Sequence, residues 1–198
     1  SVGMSVTVST VVDLRKRIYG GHDCQNERHY HVKVISQKDG IAGYCGGSLI
    51  HPRWVLTAAH CQETSLTVFS VVKTNIWKIN IFNRKHDIML LELSEPLTGI
   101  QPVPFNLQCA NMHVVDCEPT RNSPCFSDVP YNNRLCLKEP NVDTRKGDSG
   151  GGVIYNNMIY GVISGSGECV CTVPAVTVNV CPYMKWINQT IYPKSNGK

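Results

Sequence analysis

Apolar and polar residues alternate across Tyr30–Ile35, and this period of two predicts a strand with one buried face. Trp54–Ala58, Leu66–Val72, Ile76–Phe82 and Ile88–Leu93 are short runs rich in Val, Ile, Leu and aromatic residues, separated by polar breaks. Met112–Val115, Gly152–Tyr155, Met158–Ser164 and Ala175–Val180 continue in the same style. Each predicts a strand, because branched and aromatic side chains pack well on a pleated surface. Pro and Asn clusters between Cys117 and Asn141 predict irregular loop. Only Pro182–Ile191 changes period: Tyr183, Trp186, Ile187 and Thr190 recur at three- and four-residue steps, which predicts a C-terminal helix. The pattern is that of an all-β chain ending in one helix.

Composition narrows the function classes. The chain has 198 residues, 42% hydrophobic and 17% charged, enough to pack a single all-β unit or two small subdomains. Its net charge of +4 includes no basic run of the kind that tracks phosphate, which argues against nucleic acid as a partner. No stretch is long and apolar enough to predict a membrane-spanning helix. Ten cysteines, an even number, suit disulfides formed in an oxidising compartment, so the expected location is secreted or extracellular. The closest approaches to metal-ligand spacing are Cys169-x-Cys171 and His29-x-His31, and neither makes a zinc pair. Glu63 is the lone carboxylate between His60 and Asp87, too few for a calcium loop. No metal and no cofactor is expected.

The chain divides near residue 17. Ser1–Val12 is small and apolar like the tail of a signal-peptide core. The basic segment Arg15-Lys16-Arg17 then meets Ile18-Tyr19-Gly20-Gly21, which reads as a cleavable junction. The expected organisation is a signal remnant and activation peptide over 1–17, followed by one domain over 18–198.

Three clusters carry candidate chemistry: Leu56-Thr-Ala-Ala-His60-Cys61, His86-Asp87-Ile-Met-Leu-Leu91 and Lys146-Gly147-Asp148-Ser149-Gly150-Gly151. An imidazole takes the proton of a serine hydroxyl during attack, and a buried carboxylate fixes its tautomer and stabilises the imidazolium. These residue types therefore suit acyl transfer. Glycine beside the serine leaves room for the N–H groups of Gly147 and Ser149 to meet a developing oxyanion.

In their order of His, Asp and Ser, these motifs resemble the chymotrypsin/trypsin-like serine proteases. Ile18-Tyr-Gly-Gly, Cys45-Gly-Gly-Ser-Leu-Ile and Cys181–Ile187 extend the resemblance over most of Ile18–Ile191. It implies two packed antiparallel β-barrels with a C-terminal helix, and a secreted endopeptidase made as a zymogen. His60 would be the general base, Asp87 its orienting carboxylate, Ser149 the nucleophile, and Gly147 with Ser149 the oxyanion donors. Cleavage after Arg17 by a trypsin-like activator would free the Ile18 ammonium to pair with Asp148. Asp143, six residues before Ser149, would sit at the base of the specificity pocket and favour Arg or Lys. Ser164, Ser166 and Ala175 would complete the substrate-binding wall. Partners would be protein or peptide substrates and protein protease inhibitors. The resemblance also implies bridges Cys45–Cys61 and Cys24–Cys109, with Cys136 bonded to Cys117 or Cys125.

The resemblance has gaps. Phe105-Asn106 runs almost directly into Leu107-Gln108-Cys109, where the family places the opening hairpin of its second barrel, so that barrel is expected to be incomplete. Ser164-Gly165-Ser166 stands where the family has Ser-Trp-Gly, Ala175 replaces a pocket-wall glycine, and Arg145 replaces a cysteine that would face Cys169. Cys181 lacks a partner for the same reason as the hairpin. These departures frame the alternative to an active enzyme: a catalytically impaired protease homologue that binds proteins through its cleft.

Overall fold

The computed structural model describes residues 18–24, 30–38, 41–62, 68–71, 74–97, 107–123, 126, 129–165 and 171–193. Of the residues singled out above, Arg17, His29, Glu63, Phe105, Asn106, Cys125, Ser166 and Cys169 lie outside this set, as do residues 1–16. The chain enters through β1 (His22–Asp23). Six strands then form a closed antiparallel barrel: β2 (His31–Lys38), β3 (Ile41–His51), β4 (Trp54–Thr57), β5 (Val68–Val71), β6 (Thr74–Ile81) and β7 (Met89–Leu93). The order around it is β2-β3-β4-β7-β6-β5, and Val34 opposite Val71 closes the ring. Closure leaves this half without an edge to aggregate.

The second half is a sheet of five antiparallel strands. It follows β8 (Gln108–Cys109), which pairs with β1, and consists of β9 (His113–Val115), β10 (Arg134–Lys138), β11 (Gly152–Tyr155), β12 (Met158–Gly165) and β13 (Ala175–Asn179). Its order is β11-β12-β13-β10-β9, so among the described residues β11 and β9 are edges and the ring stays open. Val114 and Tyr155 are exposed on these two edge strands. A 3₁₀ turn over Cys181–Tyr183 leads into α1 (Met184–Ile191), inside the helical span predicted from periodicity.

Two strands depart from the hydrophobic pattern. β3 is the longest strand, yet Gly43, Gly46 and Gly47 dilute its apolar alternation and hide it. β10 corrects the expectation of irregular loop throughout Cys117–Asn141. Arg134 and Lys138 disguise it, but Cys136 and Leu137 are buried and the strand lies between β13 and β9. Arg134 also organises the loop before it, donating to the carbonyls of Val129, Thr120 and Phe126. Val55, Leu56, Leu90 and Leu91 of the barrel join Val162, Val176 and Val178 of the open sheet in one buried cluster, so the two halves share a core.

Three disulfides are present among the described residues: Cys24–Cys109, Cys45–Cys61 and Cys117–Cys136. The last resolves the choice left open for Cys136. Cys171 and Cys181 are exposed free thiols. No described helix is long and apolar enough to cross a membrane.

Candidate active site

Strand register brings the first two candidates together. β4 pairs with β7 so that Thr57 faces Met89. The chain leaves β4 into a 3₁₀ turn carrying His60, three residues past Thr57, and enters β7 from a turn carrying Asp87, two residues before Met89. Residues 27 apart in sequence therefore meet at one barrel end. His60 Nδ1 lies 2.9 Å from both carboxylate oxygens of Asp87, and the His60 backbone N–H donates to Asp87 Oδ1 over 2.8 Å. The Asp87 side chain is 1% exposed and that of His60 40% exposed, so the carboxylate is dry while the imidazole reaches solvent. Nδ1 held by a carboxylate is the protonated nitrogen, which makes Nε2 the basic one.

Asp87 takes a further donor, Ser164 Oγ, 2.5 Å from Oδ2. The resemblance assigns Ser164 to the substrate wall; its hydroxyl also joins the open sheet to the carboxylate of the barrel, a contact that no local motif encodes. Asp87 itself adopts φ 51°, a left-handed conformation that costs a non-glycine residue about 1–3 kcal/mol unless its surroundings hold it. Part of that hold comes through His86, whose Nδ1 lies 2.6 Å from the Tyr183 hydroxyl. Burial pushes Tyr183 up to about 12, so this hydroxyl keeps its proton at neutral pH. The Phe82 ring packs edge-on against both members of the pair and against Trp186 of α1, which ties the start of the helix to the turn that carries Asp87.

The Ser149 loop is anchored to both halves. Gly46 of β3 donates its N–H to the Ser149 carbonyl over 2.7 Å, and Gly150 donates to Ile163 of β12 over 2.7 Å. Gly46 adjoins Cys45, whose disulfide partner Cys61 adjoins His60, so the serine and the histidine are referred to one short stretch of β3. Thr57 Oγ1 donates to the Gly46 carbonyl over 2.7 Å. Gly150 has φ 82°, and a Cβ there would stand 2.2 Å from both Gly46 O and Thr57 Oγ1, so only glycine permits this docking. Among the described residues, the N–H groups of Asp148, Gly150 and Gly151 are donated to carbonyls of Arg145, Ile163 and Asp148, whereas those of Gly147 and Ser149 are donated to none. Gly147 has φ 98°, a left-handed conformation that glycine adopts without the strain a side chain would bring.

Asp143 is 2% exposed. Its Oδ1 accepts the Thr144 N–H over 2.7 Å and its Oδ2 accepts the Cys171 N–H over 2.5 Å. No cation pairs with it among the described residues. It borders a cavity of about 140 Å³ together with Met112, Leu137, Cys171 and Ala175, while Ser149 is not part of that lining. Tyr19, one residue after Ile18, forms an antiparallel bridge with Asp143, with N–H to carbonyl distances of 2.9 and 3.2 Å. Asp148 is largely buried and accepts the Arg145 N–H over 2.7 Å. Arg145 sends its guanidinium over the Tyr19 ring, 4.8 Å from the centroid.

Cys45, His60 and Cys61 bring potential metal-ligating atoms within 4.8 Å of one another. The two sulfurs are consumed in the disulfide, which leaves one imidazole and no thiolate, a poor donor set for an ion.

The family model for trypsin matches this chain over residues 18–105 and 97–187, two pieces whose junction falls between β7 and β8. "Serine protease 1" of Canis lupus familiaris is 30% identical over 242 aligned positions, covering 95% of each chain. That alignment is longer than the 198 residues present here, so the relative carries stretches that this chain lacks. "Trypsin" of Sus scrofa is 30% identical, with 88% of this chain and 96% of that protein covered. "Kallikrein-2" of Homo sapiens is 29% identical over 96% of both. The solved structure of GrC superimposes with a TM-score of 0.70 over 87% of this chain and 98% of its own; at 21% identity it speaks for the fold alone.

Proposed function

This chain belongs to the trypsin family, and on that premise we propose that it is a secreted serine endopeptidase that cleaves after Arg or Lys once its own chain has been cut after Arg17. The observation that carries the reading is the buried Asp87 carboxylate gripping His60 at Nδ1. It leaves Nε2 as the base, beside a serine loop docked on the same strand. Ser149 Oγ adds to the scissile carbonyl and passes its proton to His60 Nε2. The carbonyl oxygen, now an anion, is met by the N–H groups of Gly147 and Ser149. Collapse expels the amine, which takes the proton back from His60, and water hydrolyses the ester left on Ser149 by the same steps.

Preference for a basic side chain rests on Asp143. A dry carboxylate whose neighbours supply two N–H groups and no counter-charge gains most from a ligand that brings a cation. Cleavage at Arg17–Ile18 is supported by the Tyr19–Asp143 bridge, which places the residue after Ile18 against the segment leading to Asp148. The cysteine count supports secretion. The alternative of a protein-binding homologue finds support in the open second sheet but none in the His60, Asp87 and Ser149 arrangement.

The test is covalent. After limited cutting by immobilised trypsin, a fluorophosphonate probe should label the protein at Ser149. Absence of labelling in folded, cut protein would refute the reading.

A further inference from the structure

The geometry points to Arg145 and Tyr19 as a pair of positioning residues that couple the Asp143 cavity to the Ser149 loop, and this rests on the serine-protease reading above. Arg145 stands at the junction of three contacts. Its backbone N–H donates to Asp148 Oδ2 over 2.7 Å, and its carbonyl accepts the Asp148 N–H over 3.0 Å, so the residue before the nucleophile is held twice by Arg145. Its guanidinium lies 4.8 Å from the centre of the Tyr19 ring. Tyr19 in turn is fixed by two backbone hydrogen bonds to Asp143. A continuous path thus runs from Asp143 through the Tyr19 backbone, across the ring to the Arg145 guanidinium, and through the Arg145 backbone to Asp148 and Ser149.

The pair has a reason to be needed. Asp143 and Asp148 are both buried carboxylates, five residues apart in one loop, and the segment between them is no regular element. Asp143 Oδ2 is tied to the Cys171 N–H, but Cys171 is a free thiol, so no covalent bond braces the cavity wall through it. Without the stacked guanidinium, the route that the described contacts leave between the two carboxylates is the loop backbone. A guanidinium over an aromatic face is attracted by the ring quadrupole, and the planar cation also excludes water from the ring. Tyr19 is 42% exposed, which places the contact at the surface, where such pairs are worth a few-fold in an equilibrium.

The experiment is a double-mutant cycle of wild type, Tyr19→Val, Arg145→Ala and the double variant, with Tyr19→Phe as the conservative control, all cut by immobilised trypsin. Two quantities are read: the affinity for benzamidine, which reports the Asp143 cavity, and the rate of fluorophosphonate labelling, which reports the Ser149 loop. Each single variant should weaken benzamidine binding and slow labelling by about two- to fivefold. The double variant should be no worse than either single, and Tyr19→Phe should stay within twofold of wild type. Melting temperatures should agree within a few degrees, since the pair positions rather than folds. Additive losses, unchanged values in the single variants, or losses accompanied by a matching fall in melting temperature would overturn the proposal. Wild type that labels but binds no benzamidine refutes basic specificity and with it the coupling to the Asp143 cavity. Wild type that does not label refutes the serine reading and the pair's role together.

Discussion

Ser164 donates its hydroxyl to Asp87 across 2.5 Å, so a strand of the open sheet completes the hydrogen bonding of a carboxylate that belongs to the closed barrel. The contact makes the orientation of His60 depend on how β12 sits in its sheet. Replacing Ser164 with Ala removes a hydrogen bond to a buried charge, worth about 1.5–3 kcal/mol. Turnover should fall by roughly ten- to a hundredfold, with KM changed far less, because the lost bond supports the imidazolium formed in the transition state. Steady-state kinetics on a short ester substrate read both quantities.

Activation should depend on the bond after Arg17. Asp148 is largely buried and its Oδ2 already accepts one backbone N–H, and the free ammonium of Ile18 would bring it a charge that an amide nitrogen cannot. Arg17→Gln should therefore leave the protein inert towards ester and peptide substrates after trypsin treatment, while wild type gains activity as the cut proceeds. Equal activity in the uncut variant would contradict this.

Specificity should follow Asp143. Profiling a library varied at the position before the cleaved bond should give Arg and Lys preference in wild type, and Asp143→Ser should lose at least an order of magnitude of it, because a desolvated charge pair is at stake. A wild type preferring Phe, Leu or Ala, or a variant with an unchanged profile, would remove Asp143 from this role.

Much of the proposed site is legible because its candidate residues sit in short contiguous motifs: His60 beside Cys61, Asp87 opening a hydrophobic strand, Ser149 among glycines. What escaped depends on contacts between distant segments. The Ser164 hydroxyl reaches Asp87 across 77 positions, and Tyr183 reaches His86 across 97. β3 was hidden by the glycines that let Gly46 approach the Ser149 loop, so the feature that serves the site erased the signal for the strand. β10 was hidden by Arg134, a charged residue whose reason for being there is the carbonyl cluster it satisfies. The choice of Cys117 over Cys125 for Cys136 came from the pairing of β9 with β10, which sets Val115 opposite Cys136.

Arg134 offers a stability test away from the site. Burial pulls its guanidinium below the usual value, yet it donates to Val129, Thr120 and Phe126 carbonyls, so its cost is offset by charge-assisted hydrogen bonds. Arg134→Met keeps much of the length and leaves those acceptors without their donor, and should destabilise the fold by about 2–4 kcal/mol in urea unfolding. A change below about 0.5 kcal/mol, the level of an ordinary surface substitution, would show that the cluster does not hold the loop.

The central claim is that Ser149 is an activated nucleophile, and capture of the acyl intermediate tests it most directly. The cut protein is mixed with a slowly deacylating guanidinobenzoate ester and followed by intact-mass spectrometry with peptide mapping. One guanidinobenzoyl group per chain should appear on Ser149, with stoichiometric release of the alcohol, and Ser149→Ala should acquire none. No adduct on correctly folded, cut protein, or an adduct on any other residue, would contradict the account.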